Sequence, residues 1–466
     1  MSSIIQWNIR GLQANREELT MLLSDLDPTL VCLQETYHRS DKPANFSNYS
    51  FYCKTAEEVN GILHGGVGIL VKNGIPHKLC QLNTNLQATA LRITCHKTIT
   101  VCSIYLPPSL KLNSSDLDDL ITQLPPPVLL LGDFNAHSSL WGCPKTDIRG
   151  KLIEDLLHKH NLCLLNDGSS TYMHAATASV SAIDLSICSP NIFLDVQWKV
   201  HEDLCGSDHH PITIFYDLVN TSYATPSWKL CKANWDHFAE CASKHLGSDN
   251  SDISVEDFSK KLIDIATYTI PRSKPSVRKR NTIWFNDQCK EARSSRKKAW
   301  RKVKSNPTDD NIQRYKIIRA KSRRTIKTVR RQSWHRFVSS INSRTSLKKV
   351  WNIVNKISGK RPPITVKHLQ DGDKEVTSLT DIADTLAENF SEVSSSHHYS
   401  AKFQLHKERT ESHPLRFNSN NTETYNTYLT VDELLDSLAK SSDSAVGPDD
   451  IHYQMLKHLP SDPITT

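Results

Sequence analysis

Apolar residues in the first half of the chain fall into short runs separated by polar turns. Residues 4–9, 30–35 and 127–131 are near-continuous apolar runs of strand length, the pattern of buried strands. Residues 88–94 and 98–106 alternate and flank Cys95-His96-Lys97, which predicts a hairpin. Further strands are predicted over 65–71, 162–165, 182–188, 196–200 and 212–216. Leu19, Leu22, Leu23 and Leu26 recur at helical spacing, so 15–26 reads as a helix stopped by Asp27-Pro28. Shorter helices are predicted over 116–124 and 152–160. Mixed hairpins and crossovers of this kind predict an α/β fold, a two-sheet α/β sandwich with helices outside. The small residues Gly65, Gly66 and Gly68 precede no helix with Lys-Ser/Thr, so they read as close strand packing and not as a phosphate loop.

The pattern changes after residue 217. Residues 255–268 are amphipathic, and 288–304 forms a helix broken at Asn306-Pro307. Thr308 can cap a second helix reaching about Ile341, with Ile312, Tyr315, Ile318, Ile326 and Val329 as its apolar members. Residues 364–429 are polar, and 430–438 and 451–458 read as short helices. The expected organisation is a first domain over 1–220, a connector over 221–283, a basic helical linker over 284–361, a polar and partly disordered linker over 362–429, and the start of another domain over 430–466.

Length changes the picture little: 466 residues call for two or more domains. Charge changes it more. The net charge of +7 conceals a block between Arg272 and Arg361 with 29 basic and 4 acidic residues, whereas residues 1–220 hold 15 basic and 22 acidic ones. A block that long points to a polyanion, with Arg278, Lys279, Arg280, Arg296, Lys297, Lys298, Arg301, Arg323, Arg324, Arg330 and Arg331 as nucleic-acid contacts. A polar helix pair bridging domains is the plainer alternative, and both can hold. The 12 cysteines include no C-x-x-C pair, which removes zinc-ribbon and thioredoxin-type chemistry. No segment approaches membrane-span length, and an intracellular, reducing compartment is the expectation.

Candidate chemistry sits at strand ends. Asp133 and Asn135 follow an apolar run and Gly132, which permits a tight exit; two residues apart, they project to one side of an extended segment. Taken alone, they read equally as an Asx turn. Asn8, Glu35, Tyr105, Asp184, Asp208 and His209 also end strands. Glu35, with Asp208 and Asn8, offers hard oxygen ligands suited to Mg²⁺. His209 is the titrating group, and Asp184 can orient its second ring nitrogen. Asp133 and Asn135 can align water or bind a phosphoryl oxygen, and Tyr105 can donate to charge developing on phosphorus. Each residue has a plain structural reading too: a surface Glu35, a buried and satisfied Asp184, a turn His209, a packing Tyr105. Only their joint order favours chemistry.

Trp7-Asn8-Ile9-Arg10-Gly11-Leu12, Leu33-Gln34-Glu35-Thr36, Gly132-Asp133-Phe134-Asn135-Ala136-His137, Ser181-Ala182-Ile183-Asp184-Leu185 and Ser207-Asp208-His209-His210-Pro211-Ile212 resemble, in order, the motifs of the endonuclease/exonuclease/phosphatase superfamily. The specific resemblance is to the apurinic-like endonuclease domain of jockey-type non-LTR retrotransposons, and it covers residues 1–217. It implies that Asn8 and Glu35 bind or support the metal and that Asp208 lies near it. It implies too that Asp133 activates water or the leaving group, that Asn135 and Tyr105 contact phosphate, and that Asp184 and His209 form a hydrogen-bonded dyad. Trp284-Phe285-Asn286-Asp287 and the basic helix resemble the linker that follows this nuclease. Ser444 to Ile451 resembles the opening of a reverse transcriptase, with Asp450 where the family usually has Gly and the turn therefore expected to be strained. No aromatic-Ala-Asp-Asp motif occurs, so polymerisation by this chain is not expected.

The resulting expectation is a Mg²⁺-dependent (Mn²⁺ also suitable) DNA endonuclease that nicks target DNA. Its basic linker would hold element RNA, it would have no membrane partner, and it would work in the nucleus. The alternatives are a non-catalytic nucleic-acid-binding remnant of a decayed element, and another phosphodiesterase of the same superfamily.

Overall fold

Strand-length apolar runs that cannot each bury both faces alone are paired here into two stacked sheets. The computed structural model describes residues 2–41, 44–59, 61–95, 97–174, 176–216, 227–246, 253–273, 284–342, 345–358, 366–413, 430–443, 446–447 and 449–460. In chain order the elements are β1 Ser2–Asn8, α1 Arg16–Leu26, β2 Leu30–Gln34, β3 Tyr49–Lys54, β4 Glu57–Val59, β5 Ile62–His64, β6 Val67–Lys72, β7 His77–Cys80, β8 Gln87–Thr94 and β9 Thr98–Tyr105. There follow α2 Ser114–Thr122, β10 Val128–Asp133, α3 Ile148–Lys159, β11 Cys163–Leu164, β12 Tyr172–Met173, β13 Val180–Ser181, β14 Asp184–Cys188, α4 Pro190–Phe193, β15 Val196–Val200 and β16 Ile212–Tyr216.

One six-stranded sheet runs β15-β16-β1-β2-β6-β3 and the other β11-β14-β10-β9-β8-β7. β1 and β2 are parallel, as are β9 and β10; the other pairs within the two sheets are antiparallel. The inner faces meet through Ile4, Leu30, Cys32, Ile69, Leu91, Val101, Leu129, Leu131 and Ile214, all buried. The outer face of the first sheet is covered by Leu19, Leu22 and Leu23 of α1, and that of the second by α2 and α3 through Leu117, Leu120, Ile153 and Leu156. This is the two-sheet α/β sandwich with external helices that the periodicity predicts. β3 and β7 escape it because Tyr49–Lys54 and His77–Cys80 lack a run of aliphatic residues; each lies at a sheet edge.

Gly132 has a different role from the tight exit its position suggests. β10 continues through Asp133, and Gly132 lies opposite Ile104 of the parallel neighbour. A Cβ there would fall 2.0 Å from the Ile104 carbonyl oxygen, so only glycine lets β10 and β9 pair at this point. Gly68 is similar: a Cβ would meet the Phe51 ring at 2.4 Å, which is the close strand packing expected of the Gly65–Gly68 stretch.

The later residues divide between two compact units, one comprising 1–221 with 279–393, the other 222–278 with 394–466. The first unit therefore includes the basic helices α7 Asp287–Ser305 and α8 Asp309–Ser339, which lie against the sandwich instead of forming a separate linker. Thr308 caps α8 as expected, accepting from the Asn311 amide. Trp284 anchors the start of this hairpin against Met21 of α1, with Cys289, Ile326 and Val329. Downstream, α9 Leu347–Ser358, β17 Leu369–Asp371, β18 Lys374–Val376 and α10 Leu379–Val393 occupy part of the stretch expected to be polar linker. Lys367 bridges to His77 on the exposed edge of β7, and His368 bonds Thr94 at 3.1 Å, so that segment has tertiary partners.

In the second unit, α5 Trp235–Leu246 and α6 Val255–Thr269 share one core with α11 Tyr453–Lys457 through Phe238, Leu262, Ile265 and Met455. The connector and the last helix, far apart in sequence, thus bury each other. Asp450 takes φ +59, the left-handed conformation that favours the glycine expected at that position. Arg272 pairs with its carboxylate at 2.6 Å while stacking over Trp228.

The Gly132 contact yields a direct test. Gly132→Ala must push Ile104 and the β9–β10 pairing apart, and is expected to cost about 3 kcal/mol or more, read as a fall in urea midpoint. A wild-type midpoint would refute the close-approach account.

Candidate active site

The ends of β1, β2, β9, β10 and β14 bring the acidic residues together. β1 and β2 are parallel neighbours, so Asn8 pairs with Gln34 and Glu35 follows immediately. In the other sheet Asp133 lies between Tyr105 and Asp184 in register. The carboxamide of Asn8 spans the two sheets, donating to Asp133 Oδ2 at 2.8 Å and to Glu35 Oε1 at 3.1 Å. Tyr37 donates to the other oxygen of Glu35. Glu35 takes φ +47, a costly conformation for a residue with a side chain. Asp133 serves both readings of its motif. Its Oδ1 accepts from the Asn135 amide at 3.1 Å, closing an Asx turn, while Oδ2 faces the cluster.

His209 sits between two carboxylates. Its Nδ1 lies 2.8 and 3.0 Å from the oxygens of Asp184, and its Nε2 lies 3.9 Å from Asp133 Oδ2. All three residues are at most 4% exposed. Burial holds the imidazole down, but Asp184, through charge and hydrogen bond, and then Asp133 outweigh it and raise its pKa to about 10. Asp133 is pushed up to about 7, by burial first and then against the pull of His209, with Asp184 and Glu35 adding repulsion. The adjacent His210 shows the opposite case: buried without a carboxylate partner, it falls to about 4. Tyr105 is held above its ordinary pKa by burial and by Glu35 and Asp133, so it stays a donor. Asn135 donates its side chain to the Leu106 carbonyl at 3.2 Å.

Asp208 is buried against Arg10, which donates to Oδ2. Asp133, Asp184 and His209 present ligand atoms within 4.8 Å of one another and could hold a metal ion. Most of that capacity is spent internally, however, in the His209–Asp184 bond. Glu35 and Asp133 form an all-oxygen pair with Asn8 between them, a donor set that fits a hard divalent cation. Asn8 turns its amide nitrogen toward both carboxylates while its oxygen accepts from the Arg10 amide, so it aligns the acids.

Several contributors carry no signal in a single sequence. Tyr172 packs on the His209 ring at 4.7 Å. Thr171 accepts from the Asp184 amide at 3.1 Å. Arg149 donates to the carbonyls of Leu106, Pro107, Leu110 and Phe134, fixing the loops after β9 and β10 together. A half-buried fan of four carbonyls on one guanidinium depends on the fold, and nothing near Arg149 in sequence announces it.

The basic residues separate into two groups. Arg296 cannot contact nucleic acid: it is fully buried and forked between Glu18 and Asp203. Arg330 pairs with Glu17 at 2.5 Å, Arg301 with Glu202 at 2.7 Å, and Arg323 donates to Asn15 at 2.6 Å. Lys297, Lys298, Arg324 and Arg331 are exposed on the hairpin. Arg278, Lys279 and Arg280 lie outside the described residues.

Two stacked mixed sheets thus carry an Asp-His-Asp cluster and an Asn-bridged acid pair at one end. Residues 99–213 match the family model described as Endonuclease-reverse transcriptase. The chain is 28% identical over 292 residues to the RNA-directed DNA polymerase from mobile element jockey of Drosophila melanogaster, covering 58% of this chain and 31% of that protein. It is 24% identical over 226 residues to the probable RNA-directed DNA polymerase from transposon X-element of the same species, covering 47% and 24%. It thus spans less than a third of the length of these relatives. Among solved structures, the endonuclease domain of TRAS1, a telomere-specific non-LTR retrotransposon, aligns with TM-score 0.41 and 23% identity over 47% of this chain and all of that domain.

Asn8→Asp would replace the bridging donor with a third carboxylate. Like charges raise carboxylate pKa values above their unfolded values, so stability is kept at low pH and lost as pH rises. The variant is expected to melt below wild type by a wider margin at pH 8 than at pH 5 in thermal scans with chelator. Equal margins would count against the bridging role.

Proposed function

We propose that the first unit is a metal-dependent DNA endonuclease that hydrolyses a phosphodiester bond to nick target DNA, within a polyprotein of jockey type. The observation that carries this reading is the Asp184–His209–Asp133 relay placed beside the Asn8-bridged Glu35. A bound Mg²⁺, or Mn²⁺ in its place, would be held by Glu35 with Asp133 beside it and would neutralise charge on the phosphate and the departing oxygen.

The side chains divide the remaining work. Asp184 fixes the His209 ring by accepting at Nδ1, which turns Nε2 toward Asp133. Protonated His209 donates to a non-bridging phosphate oxygen and stabilises charge gathering there. Ionised Asp133 takes a proton from the attacking water. Tyr105 and Asn135 supply further donors to the phosphate. Attack breaks the P–O3′ bond and leaves a 3′-hydroxyl, protonated from solvent, opposite a 5′-phosphate. An intact relay speaks against a decayed, non-catalytic remnant.

Supercoiled-plasmid nicking tests this. His209→Ala and Asp184→Asn are expected to lower the rate by about 10²-fold or more, since removing a preorganised donor typically costs that much. Chelator should abolish nicking and Mg²⁺ restore it. Wild-type nicking by His209→Ala would refute the mechanism. The raised pKa of His209 sets the alkaline limb of the pH profile: the rate should fall as His209 deprotonates near 10.

We also propose that the exposed hairpin residues Lys297, Lys298, Arg324 and Arg331 contact phosphates of element RNA, and that the protein acts in the nucleus. RNA affinity of the full chain should fall steeply with salt, and each charge removed should lower the salt slope by about one. An unchanged slope in the fourfold alanine variant would exclude this surface.

A further inference from the structure

We infer that the basic hairpin α7–α8 is part of the active-site framework, and that Arg296 and Trp300 are positioning residues for the loop that carries Asp208 and His209. The inference rests on the nuclease reading for its activity readout, and on geometry for everything else.

The loop from Asp203 to His210 is held at both ends by the hairpin. At the first end, Arg296 donates to Glu18 of α1 and, at 2.9 Å, to Asp203. The other oxygen of Asp203 accepts from the Cys205 amide at 3.1 Å. The turn that follows is conformationally costly: Cys205 has φ +50 and Gly206 φ +89. A non-glycine residue in that conformation persists only where its surroundings impose it. Ser207 then donates to the Asn8 carbonyl at 2.8 Å and accepts from the His209 amide at 3.3 Å, which ties the loop to the acid-bridging residue.

At the second end, the Trp300 ring packs on His210 at 5.5 Å and is backed by Tyr315 of α8 at 5.5 Å. Met173 and Leu204 complete that cluster. The Met173 amide donates to the Asp208 carbonyl at 2.9 Å, and its neighbour Tyr172 packs on His209. His209 is therefore bracketed between a residue under Trp300 and a loop pinned by Arg296.

A buried fork of this kind is weak as a source of stability, because desolvating three charges offsets most of their attraction. It is strong as a constraint, because the planar guanidinium accepts only one arrangement of the two carboxylates. The basic block thus meets the acidic domain first through this constraint, and its exposed charges face outward from there.

The test uses the full 466-residue chain. Trp300→Ala and Arg296→Met are expected to lower kcat for plasmid nicking by about 10- to 100-fold with KM changed less than about 2-fold, the scale expected for a displaced catalytic group. Trp300→Phe should restore most of the rate, and Arg296→Lys should not. In hydrogen exchange, peptides covering residues 202–210 should lose protection in both variants while β10 peptides keep theirs; Lys327→Ala on the outer face of α8 should change neither. Wild-type kcat in folded Trp300→Ala and Arg296→Met would overturn the inference. So would protection lost evenly across both sheets, which is global destabilisation. If the wild-type chain does not cut DNA, the nuclease reading fails and the exchange pattern alone decides this one.

Discussion

Gln6 joins the two sheets directly beneath the acidic cluster. Its amide nitrogen, on β1, donates across the sandwich to the carbonyls of Gly132 at 2.9 Å and Leu185 at 3.1 Å, and its oxygen accepts from Ser186 at 2.7 Å. Those carbonyls belong to residues that face each other in β10 and β14. Two apolar faces alone would tolerate sliding, since burial is non-directional. Sliding here would strand the Gln6 carboxamide in a dry interior, at about 1–3 kcal/mol for each unsatisfied group. Because Asn8 follows Gln6 by two residues and projects to the same face, this stitch places the Asn8 carboxamide opposite Asp133. Gln34 and Ser103 make a second stitch at 3.0 Å, one residue before Glu35 and two before Tyr105.

The parts of the fold legible from sequence are those where burial is two-sided. β1, β2 and β10 are near-continuous apolar runs because sheet and helix, or sheet and sheet, cover both faces. Edge strands such as β3 and β7 carry no such record. At the site, the residue types and their order were readable, and the Asp184–His209 pairing came with the resemblance. What remained hidden is long-range: Arg10 against Asp208, Tyr172 on His209, Arg149 across four carbonyls. Each joins residues dozens of positions apart or works through backbone oxygens that every residue possesses. Gly132 teaches a related point. Its presence was conspicuous, but the reason is the Ile104 carbonyl of the neighbouring strand, which no local pattern contains.

The charge split between the two parts of the sequence also has a partly structural origin. Glu17, Glu18 and Asp25 of α1 and Glu202 and Asp203 before β16 face the hairpin and pair with Arg330, Arg296, Arg293 and Arg301. Part of the acidic surplus of the first domain and part of the basic surplus after it are two sides of one interface. Exposed pairs such as Arg301–Glu202 add little stability. They do set orientation, since a hairpin docked out of register would bring like charges together.

The cluster itself is left with a charge imbalance that defines what it can accept. Asp208 is matched by Arg10, and Asp184 by protonated His209. Glu35 and Asp133 take their hydrogen bonds from neutral donors, Asn8, Tyr37 and the Asn135 amide, and share the His209 ring, 3.9 Å from Asp133, with Asp184. Burial, with repulsion from Asp184 and Glu35, pushes Asp133 up against the pull of His209. A phosphodiester approaching such a pair brings another negative charge into a low-dielectric space, where repulsion is strongest. On the proposed nuclease reading, a cation held between the phosphodiester and this pair would relieve that repulsion. A neutral carboxamide at position 8 donates to both carboxylates, whereas an acid there would deepen the negative charge of the cluster.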